Sequence, residues 1–251
     1  MQAYEGFASI YDIFMGDVDY DGWVEYIEKI WKKYKKEPKL IAELGCGTGN
    51  ITGRLAKKGY DMIGIDISEE MLSVAREKAA EEGDDILYLF QDMTEFELYG
   101  TVDIILSLCD SMNYITDKED MLKVFKLANN YLDPHGLFIF DLNTEYKFKN
   151  VLSDNTFAET TDDAAYIWEN TYDEDEKINE YYVNFFINDE NTDMYERVEE
   201  CHYERAYSLD EIKELIKESG MKFVAAYDAF TFDEPKENSE RIYVIAEETG
   251  K

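Results

Sequence analysis

The chain has 251 residues, of which 45% are hydrophobic and 15% aromatic, including 20 Tyr and 14 Phe. That much apolar material excludes a disordered chain and suits one α/β domain with an insertion, or two small domains, around a substantial core. A net charge of −32, from 57 acidic and 25 basic residues, argues against nucleic acid and anionic membrane partners, favours cationic ligands and keeps the protein soluble.

Residues 1–36 precede any strand. An aromatic arm with Tyr4, Phe7, Tyr11 and Phe14 leads to a predicted helix at about 21–35. There Trp23, Val24, Ile27, Ile30, Trp31 and Tyr34 recur at helical spacing. From residue 39 the pattern alternates. Residues 39–44 form a short apolar strand, followed by a glycine loop and a helix at 51–58 that Gly59 ends. Residues 61–65 are a second strand. Ser68 caps a helix to about 82, with Glu69 and Glu70 in its first turn. Residues 86–90 are a third strand. Residues 102–108 are a fourth, a near-continuous apolar run as in a strand buried on both faces. Asp117 opens a helix to about 131, Asp133-Pro134-His135-Gly136 is a turn, and 137–141 is a fifth strand.

The next stretch reads as three antiparallel strands, at 166–172, 178–187 and 194–207, with turn-like separators at 173–177 and 188–193. The middle strand carries aromatics on both faces, Tyr181 and Phe185 against Tyr182 and Phe186. A capping box from Ser208 to Glu211 then opens a helix that ends at Gly220. Strands at 221–230 and 241–246, separated by a charged loop, close the chain as an antiparallel pair. The expected fold is α/β: a doubly wound, mostly parallel, Rossmann-like sheet with an antiparallel β insertion and an N-terminal helical arm. The expected units are 1–36 for the arm, 37–145 with 207–251 for a cofactor-binding α/β domain, and 146–206 for an insertion covering its cleft.

Cys46, Cys109 and Cys201 include no C-x-x-C pair, so neither a disulfide framework nor a metal site is expected, and a reducing cytoplasm fits. No basic region followed by an apolar run opens the chain, and no apolar stretch is long enough to span a bilayer.

The loop Glu43-Leu44-Gly45-Cys46-Gly47-Thr48-Gly49-Asn50 carries the clearest chemistry. Its glycines permit a tight turn and close backbone approach to a ligand that the next helix's amides face. Asn50 stands where a dinucleotide fingerprint needs Gly or Ala. Asp66 ends the second strand, where a carboxylate can accept both ribose hydroxyls. Gln91-Asp92-Met93 ends the third, where a carboxylate can accept an adenine amine.

These residues in this order resemble the class I S-adenosylmethionine-dependent methyltransferases, and the resemblance covers most of the chain. It implies S-adenosylmethionine as cofactor. The loop through Glu43, Gly45, Cys46, Gly47, Thr48 and Gly49 would wrap its methionine part. Asp66 would hold the ribose, Asp92 and Met93 the adenine, and Ile67, Met71 and Gln91 would be further cofactor-binding residues. Leu108 and Cys109 would line the cofactor from the fourth strand.

Methyl transfer from a sulfonium mainly needs the acceptor held in line, and an amine acceptor needs only loss of its proton. No general base stands out in the sequence. His135 reads as a solvated turn residue, and His202 as either a residue facing the site or, preferably, one on a sheet surface. An arm ending in Tyr11-Asp12 is similar to small-molecule enzymes, including sugar-amine N-methyltransferases, and makes Tyr11 the catalytic-site candidate. Asp110, Asn113 and Tyr114 after the fourth strand, with Trp168, His202 and Arg205 in the insertion, are the acceptor-side candidates. The expectation is a cytoplasmic small-molecule methyltransferase, monomer or homodimer, with an amine as one possible acceptor. A nucleic-acid or protein methyltransferase, a nicotinamide-dependent enzyme and a non-catalytic binding protein are the alternatives.

Overall fold

In strand β4 (Val102–Ser107), Ile104 and Leu106 face one apolar cluster while Val102 and Ile105 face another, and all four are at most 1% exposed. A strand covered on both faces must lie mid-sheet. The structure, a computed structural model describing residues 8–161, 164–189 and 194–250, puts β4 at the centre of a seven-stranded sheet. β1 (Leu40–Leu44), β2 (Asp61–Asp66) and β3 (Leu87–Phe90) run parallel on one side of it. On the other side β5 (Leu132–Asn143) is parallel to it, and β11 (Arg241–Glu247) and β10 (Lys222–Asp228) follow as antiparallel neighbours. This is the doubly wound, mostly parallel Rossmann-like sheet that the sequence leads one to expect.

One face of the sheet is covered by α2 (Tyr20–Lys33) and α3 (Asn50–Lys57), which pack Val24, Ile27, Ile30, Trp31, Ile51 and Leu55 against Ile104, Ile139 and Tyr243. The other is covered by α5 (Lys118–Tyr131) and α6 (Leu209–Glu218), which pack Phe125, Ile212 and Ile216 against Ile105, Phe138 and Val244. Each large side chain so buried contributes about 1.5–3 kcal/mol. α4 (Glu69–Glu82) follows β2. Ser68 caps it by accepting from the Met71 N–H at 3.2 Å, and Gly83 ends it at φ 75°.

A second, four-stranded antiparallel sheet is formed by β6 (Thr156–Thr160), β7 (Ala164–Asp173), β8 (Ile178–Asp189) and β9 (Met194–Arg205). β6 was not expected. It is an edge strand whose residues are exposed except Phe157, which packs on Trp168, so it has no buried alternation to reveal it.

The segment 133–136 is also different from expectation. It is a bulge within β5: Leu132 pairs with Val102, and pairing resumes at Ile104 with Leu137. Pro134 offers no N–H to a ladder, and His135 takes φ 63°.

The described part of the N-terminal arm is a short helix, α1 (Ala8–Phe14). Phe14 meets Tyr166 edge-on at 5.0 Å and Phe185 at 5.9 Å, joining the arm to the antiparallel sheet. Tyr4, Phe7 and the 190–193 part of the expected turn lie outside the described residues.

Candidate active site

A cavity of about 590 Å³ opens where the carboxyl ends of β1, β2, β3 and β4 meet, a size typical of small-molecule sites. Thirteen of the fourteen residues assigned to the cofactor from sequence line it: Glu43, Gly45, Cys46, Gly47 and Thr48; Asp66, Ile67 and Met71; Gln91, Asp92 and Met93; Leu108 and Cys109. Gly49 does not. It is the N-cap of α3 at φ 76°, and a side chain there would meet Ala75 and Tyr88, so its glycine serves the turn and the packing beneath.

The loop is held by its own amides. Gly45 N–H donates to the Ile65 carbonyl at 2.8 Å, and Ser111 packs where a Gly45 side chain would go. At Gly47 a side chain would meet nothing within 4 Å, so the glycine serves φ 53° and an open approach to the backbone. The Gly47 N–H donates to one Asp66 oxygen at 2.8 Å, and the Ser68 N–H donates to the other at 2.8 Å. A carboxylate has about four acceptor positions, so the amides leave it acceptor capacity to spare. Burial raises the Asp66 pKa, and the backbone amides of Ser68, Gly47 and Ile67 oppose the rise.

Asp92 accepts from both the Thr94 N–H at 2.7 Å and its hydroxyl at 2.8 Å, which fixes the carboxylate's direction. Ile67 and Phe90, 53% and 56% exposed, line the same cavity and offer apolar surface for a flat ring. Phe90 was read only as a strand end; its exposure appears only in three dimensions.

Glu43 is buried and accepts a short hydrogen bond from the Thr52 hydroxyl. Burial, with Asp66 as a second and smaller cause, pushes its pKa up to about 8 against the Thr52 hydrogen bond.

Tyr11 and Tyr20 both line the cavity. Burial first, then the neighbouring Tyr20, Cys109 and Asp110, hold the Tyr11 phenol well above its usual range, so it stays a neutral donor. The adjacent Asp12 accepts from the Thr48 hydroxyl at 2.7 Å, the Asn50 amide at 2.7 Å and Lys78 at 2.7 Å. This explains Asn50: the residue that breaks the dinucleotide pattern is a tie between the arm and the loop. Burial pushes Asp12 up, but its three partners more than offset this and leave the carboxyl below its usual range.

Of the acceptor-side candidates, Tyr114 lines the cavity and the other five do not. Asp110 is paired at 2.6 Å with Arg241, which also binds the fully buried Asp141. Asn113 is fully buried and donates to the carbonyls of Asn143 and Arg205, a splice between the two sheets. Arg205 donates to the Thr116 carbonyl at 3.0 Å and lies over the Tyr207 ring. Trp168 packs among Phe157 and Tyr181. His202 is 3% exposed, which overturns the preferred reading of it as a surface residue; it sits directly behind Tyr114.

Sequence reasoning missed the acidic wall. Glu69 and Glu70 from the first turn of α4, and Asp117 and Asp120 from the start of α5, all line the cavity. Glu69, Glu70 and Asp117 read as ordinary helix-start acids, and only the topology brings them, with Asp120, to one opening. No helix among the described residues is long and apolar enough to cross a membrane.

Comparison with known proteins agrees with this geometry. A family model described as "Methyltransferase domain" matches residues 41–136. The chain is 37% identical over 247 residues to "Putative methyltransferase YqeM" of Bacillus subtilis (strain 168), covering 98% of this chain and 97% of that protein. It is also similar to the crystal structure of an S-adenosylmethionine-dependent methyltransferase from Clostridium acetobutylicum ATCC 824, with 33% identity, a TM-score of 0.87, and coverage of 98% of this chain and 99% of that one. The sugar N-methyltransferase KedS8 from Streptoalloteichus sp. ATCC 53650 shares the fold at 13% identity, with a TM-score of 0.80 and coverage of 98% and 94%.

Proposed function

This chain belongs to the class I S-adenosylmethionine-dependent methyltransferases, and from that premise we propose that it methylates an amine nitrogen of a small molecule. The cofactor supplies an electrophilic sulfonium methyl group; the chain has to seat the cofactor and bring a neutral nitrogen in line with that group.

The cavity suits the cofactor. Asp66 keeps acceptor capacity for a ribose diol, and Asp92 lines the same cavity as the exposed apolar side chains of Ile67 and Phe90, as an adenine needs. Gly47 leaves its backbone open to the methionine portion. In this reading Tyr11 contacts the acceptor, and residues 146–206 act as a separate cover over the cleft. The cover is supported by the hydrogen bonds of Asn113 to Arg205 and of Arg205 to Thr116.

The acid-lined opening carries the amine reading. Glu69, Glu70, Asp117 and Asp120 face one cavity in a chain of net charge −32. Such a field concentrates cations and repels phosphates, which favours a protonated amine over a nucleic acid. The resemblance in fold to sugar N-methyltransferases is compatible with this but adds no evidence about the acceptor.

The test is a screen for release of S-adenosylhomocysteine with amines, hydroxylated metabolites and oligonucleotides in parallel. Turnover of amines alone is expected, and turnover confined to hydroxyl compounds or oligonucleotides would overturn the reading. Calorimetric titration with S-adenosylhomocysteine and with NAD checks the cofactor separately, with only the former expected to bind.

A further inference from the structure

An amine that reaches an acidic cavity arrives protonated, and a protonated amine has no lone pair. We propose that Tyr114, His202 and Glu200 form a relay that removes this proton, with Tyr114 as the catalytic residue and His202 and Glu200 as positioning residues behind it. The proposal rests on the amine reading above.

Tyr114 ends the 3-10 turn Ser111–Tyr114 that follows β4, and its side chain forms part of the cavity wall. Its hydroxyl lies 3.3 Å from His202 Nδ1. On the far side of the imidazole, His202 Nε2 lies 2.9 Å from a Glu200 carboxylate oxygen. Glu200 and His202 are two residues apart on β9, so both side chains leave the same face of the strand. Their side chains are each 3% exposed.

Two further rings fix the imidazole. Tyr181 stacks on it, with centroids 4.6 Å apart and an interplanar angle of 15°, and Tyr114 meets it edge-on at 5.8 Å. The Tyr181 hydroxyl also bonds to the Tyr114 hydroxyl.

The chemistry follows from the order of these groups. A carboxylate at Nε2 selects the tautomer whose proton sits on Nε2, which leaves the Nδ1 lone pair for the Tyr114 O–H. Burial, followed by the charges of Tyr181, Glu204 and Asp110, holds the Tyr114 phenol well above its usual range. Tyr114 therefore passes a proton on and does not dwell as phenolate. A buried carboxylate–imidazole pair is costly to maintain merely as packing, and here it backs onto Tyr114, a residue of the cavity lining.

In the step itself, one N–H bond of the ammonium breaks as an O–H bond to Tyr114 forms. The original Tyr114 O–H bond breaks as an Nδ1–H bond forms on His202. The imidazolium is held by Glu200, and the electron pair left on the acceptor nitrogen is the nucleophile. After product leaves, the proton returns through Tyr114 to water in the open cavity.

The groups facing the imidazole include Glu200 on β9, Tyr181 on β8 and Tyr114 on the turn, and the charges of Glu204 and Asp110 act on Tyr114. The relay requires the Nδ1 lone pair of His202 to face the Tyr114 hydroxyl.

The test has two arms. The chain has two histidines, His135 and His202, so ¹⁵N-histidine labelling gives two imidazole signals, and His202→Gln identifies one by its loss. His202 is expected as the Nε2–H tautomer, with an Nδ1 shift that moves in Tyr114→Phe. A proton on Nδ1 in the free protein, or an Nδ1 shift indifferent to Tyr114→Phe, would overturn the relay whatever the acceptor.

The second arm measures turnover of a panel of primary amines, aminosugars and aliphatic diamines, by wild type, Tyr114→Phe, His202→Gln and Glu200→Gln. S-adenosylhomocysteine binding, measured by calorimetry, is expected to change less than about threefold in each variant, which certifies the fold and the cofactor site. Turnover near pH 7 should drop by about 100-fold or more in the first two, and recover as pH approaches the amine's own pKa. Amines turned over by all variants at the wild-type rate would sink the relay and leave the amine reading intact. Turnover of hydroxyl compounds alone would sink the amine reading, while the tautomer result still judges the relay's geometry.

Discussion

The Asp12 carboxylate holds the Thr48 hydroxyl at 2.7 Å, and so ties α1 to the glycine loop on the cavity wall. The same carboxylate binds Asn50 and Lys78, so one residue of the arm braces three positions around the site. Asp12 and Lys78 side chains remain 33% and 35% exposed, so water screens their attraction. Asp12→Ala is expected to cost only about 1 kcal/mol of global stability. It should nonetheless raise amide exchange in residues 8–14 by at least tenfold. Unchanged exchange there would show that the aromatic contacts of Phe14 hold α1 without the carboxylate. Because the folded carboxyl lies below its usual range, its contribution is present above the unfolded pKa and is lost as pH falls through the folded one. The arm should therefore loosen in acid, below about pH 4.

Asp66→Ala should weaken S-adenosylhomocysteine binding by about 1–3 kcal/mol, through loss of a buried charged acceptor. Asp66 also accepts the Gly47 and Ser68 amides, so the loss has a structural part. Asp66→Asn keeps one acceptor oxygen for the loop while removing the charge. If the ribose reading is right, calorimetry will show both variants impaired, with Asn closer to wild type in thermal midpoint than in affinity. An unchanged dissociation constant in either variant rejects the assignment.

Glu43 predicts a pH dependence of opposite sign to that of Asp12. Burial pushes its pKa up to about 8, above the unfolded value near 4.3. Stability from its neutral form is fully present below about pH 4.3 and is lost as pH rises through about 8, because unfolding releases a proton across that window. The slope should be about 1.4 kcal/mol per pH unit. Glu43→Gln keeps the Thr52 contact and should flatten that part of the curve. Urea midpoints at pH 5, 6.5 and 8.5 measure it, and parallel curves for the two proteins would mean that Glu43 is ionised in the fold at pH 7.

What the sequence made legible was local. Ser68 and Asp117 are caps set by their own first turns. Gly45, Gly47, Asp66 and Asp92 follow strand ends, and parallel strands bring such ends together. The relay was not legible, because Tyr114 and His202 meet across 88 positions, one on the turn after β4 and the other on β9 of the antiparallel sheet. Nor was Asn113, which looks like a loop residue facing substrate yet is fully buried between two carbonyls. Asp110 misled in the same way: its polarity suggested a ligand, whereas its partner Arg241 lies 131 positions away. β6 escaped because an exposed edge strand has no apolar alternation to betray it.

Arg241 joins the carboxylates of Asp110 and Asp141, with a side chain 15% exposed beside acids 22% and 0% exposed. Burial works against its charge, but Asp141 and Asp110 outweigh it and keep the guanidinium protonated. Removing it leaves two acids facing each other out of water, with Glu204 near them already pushed up by burial and by Asp110. Arg241→Leu should therefore lose about 3–5 kcal/mol in urea unfolding, the cost of uncompensated buried charge. Lysine cannot span both acids as a planar fork does, so Arg241→Lys should recover less than half of that. Adding Asp110→Asn to Arg241→Leu removes one of the stranded charges, and the double variant should be more stable than Arg241→Leu alone. If the second substitution instead adds its own full cost, the two residues are not coupled, and the strength of the cluster lies in Asp141.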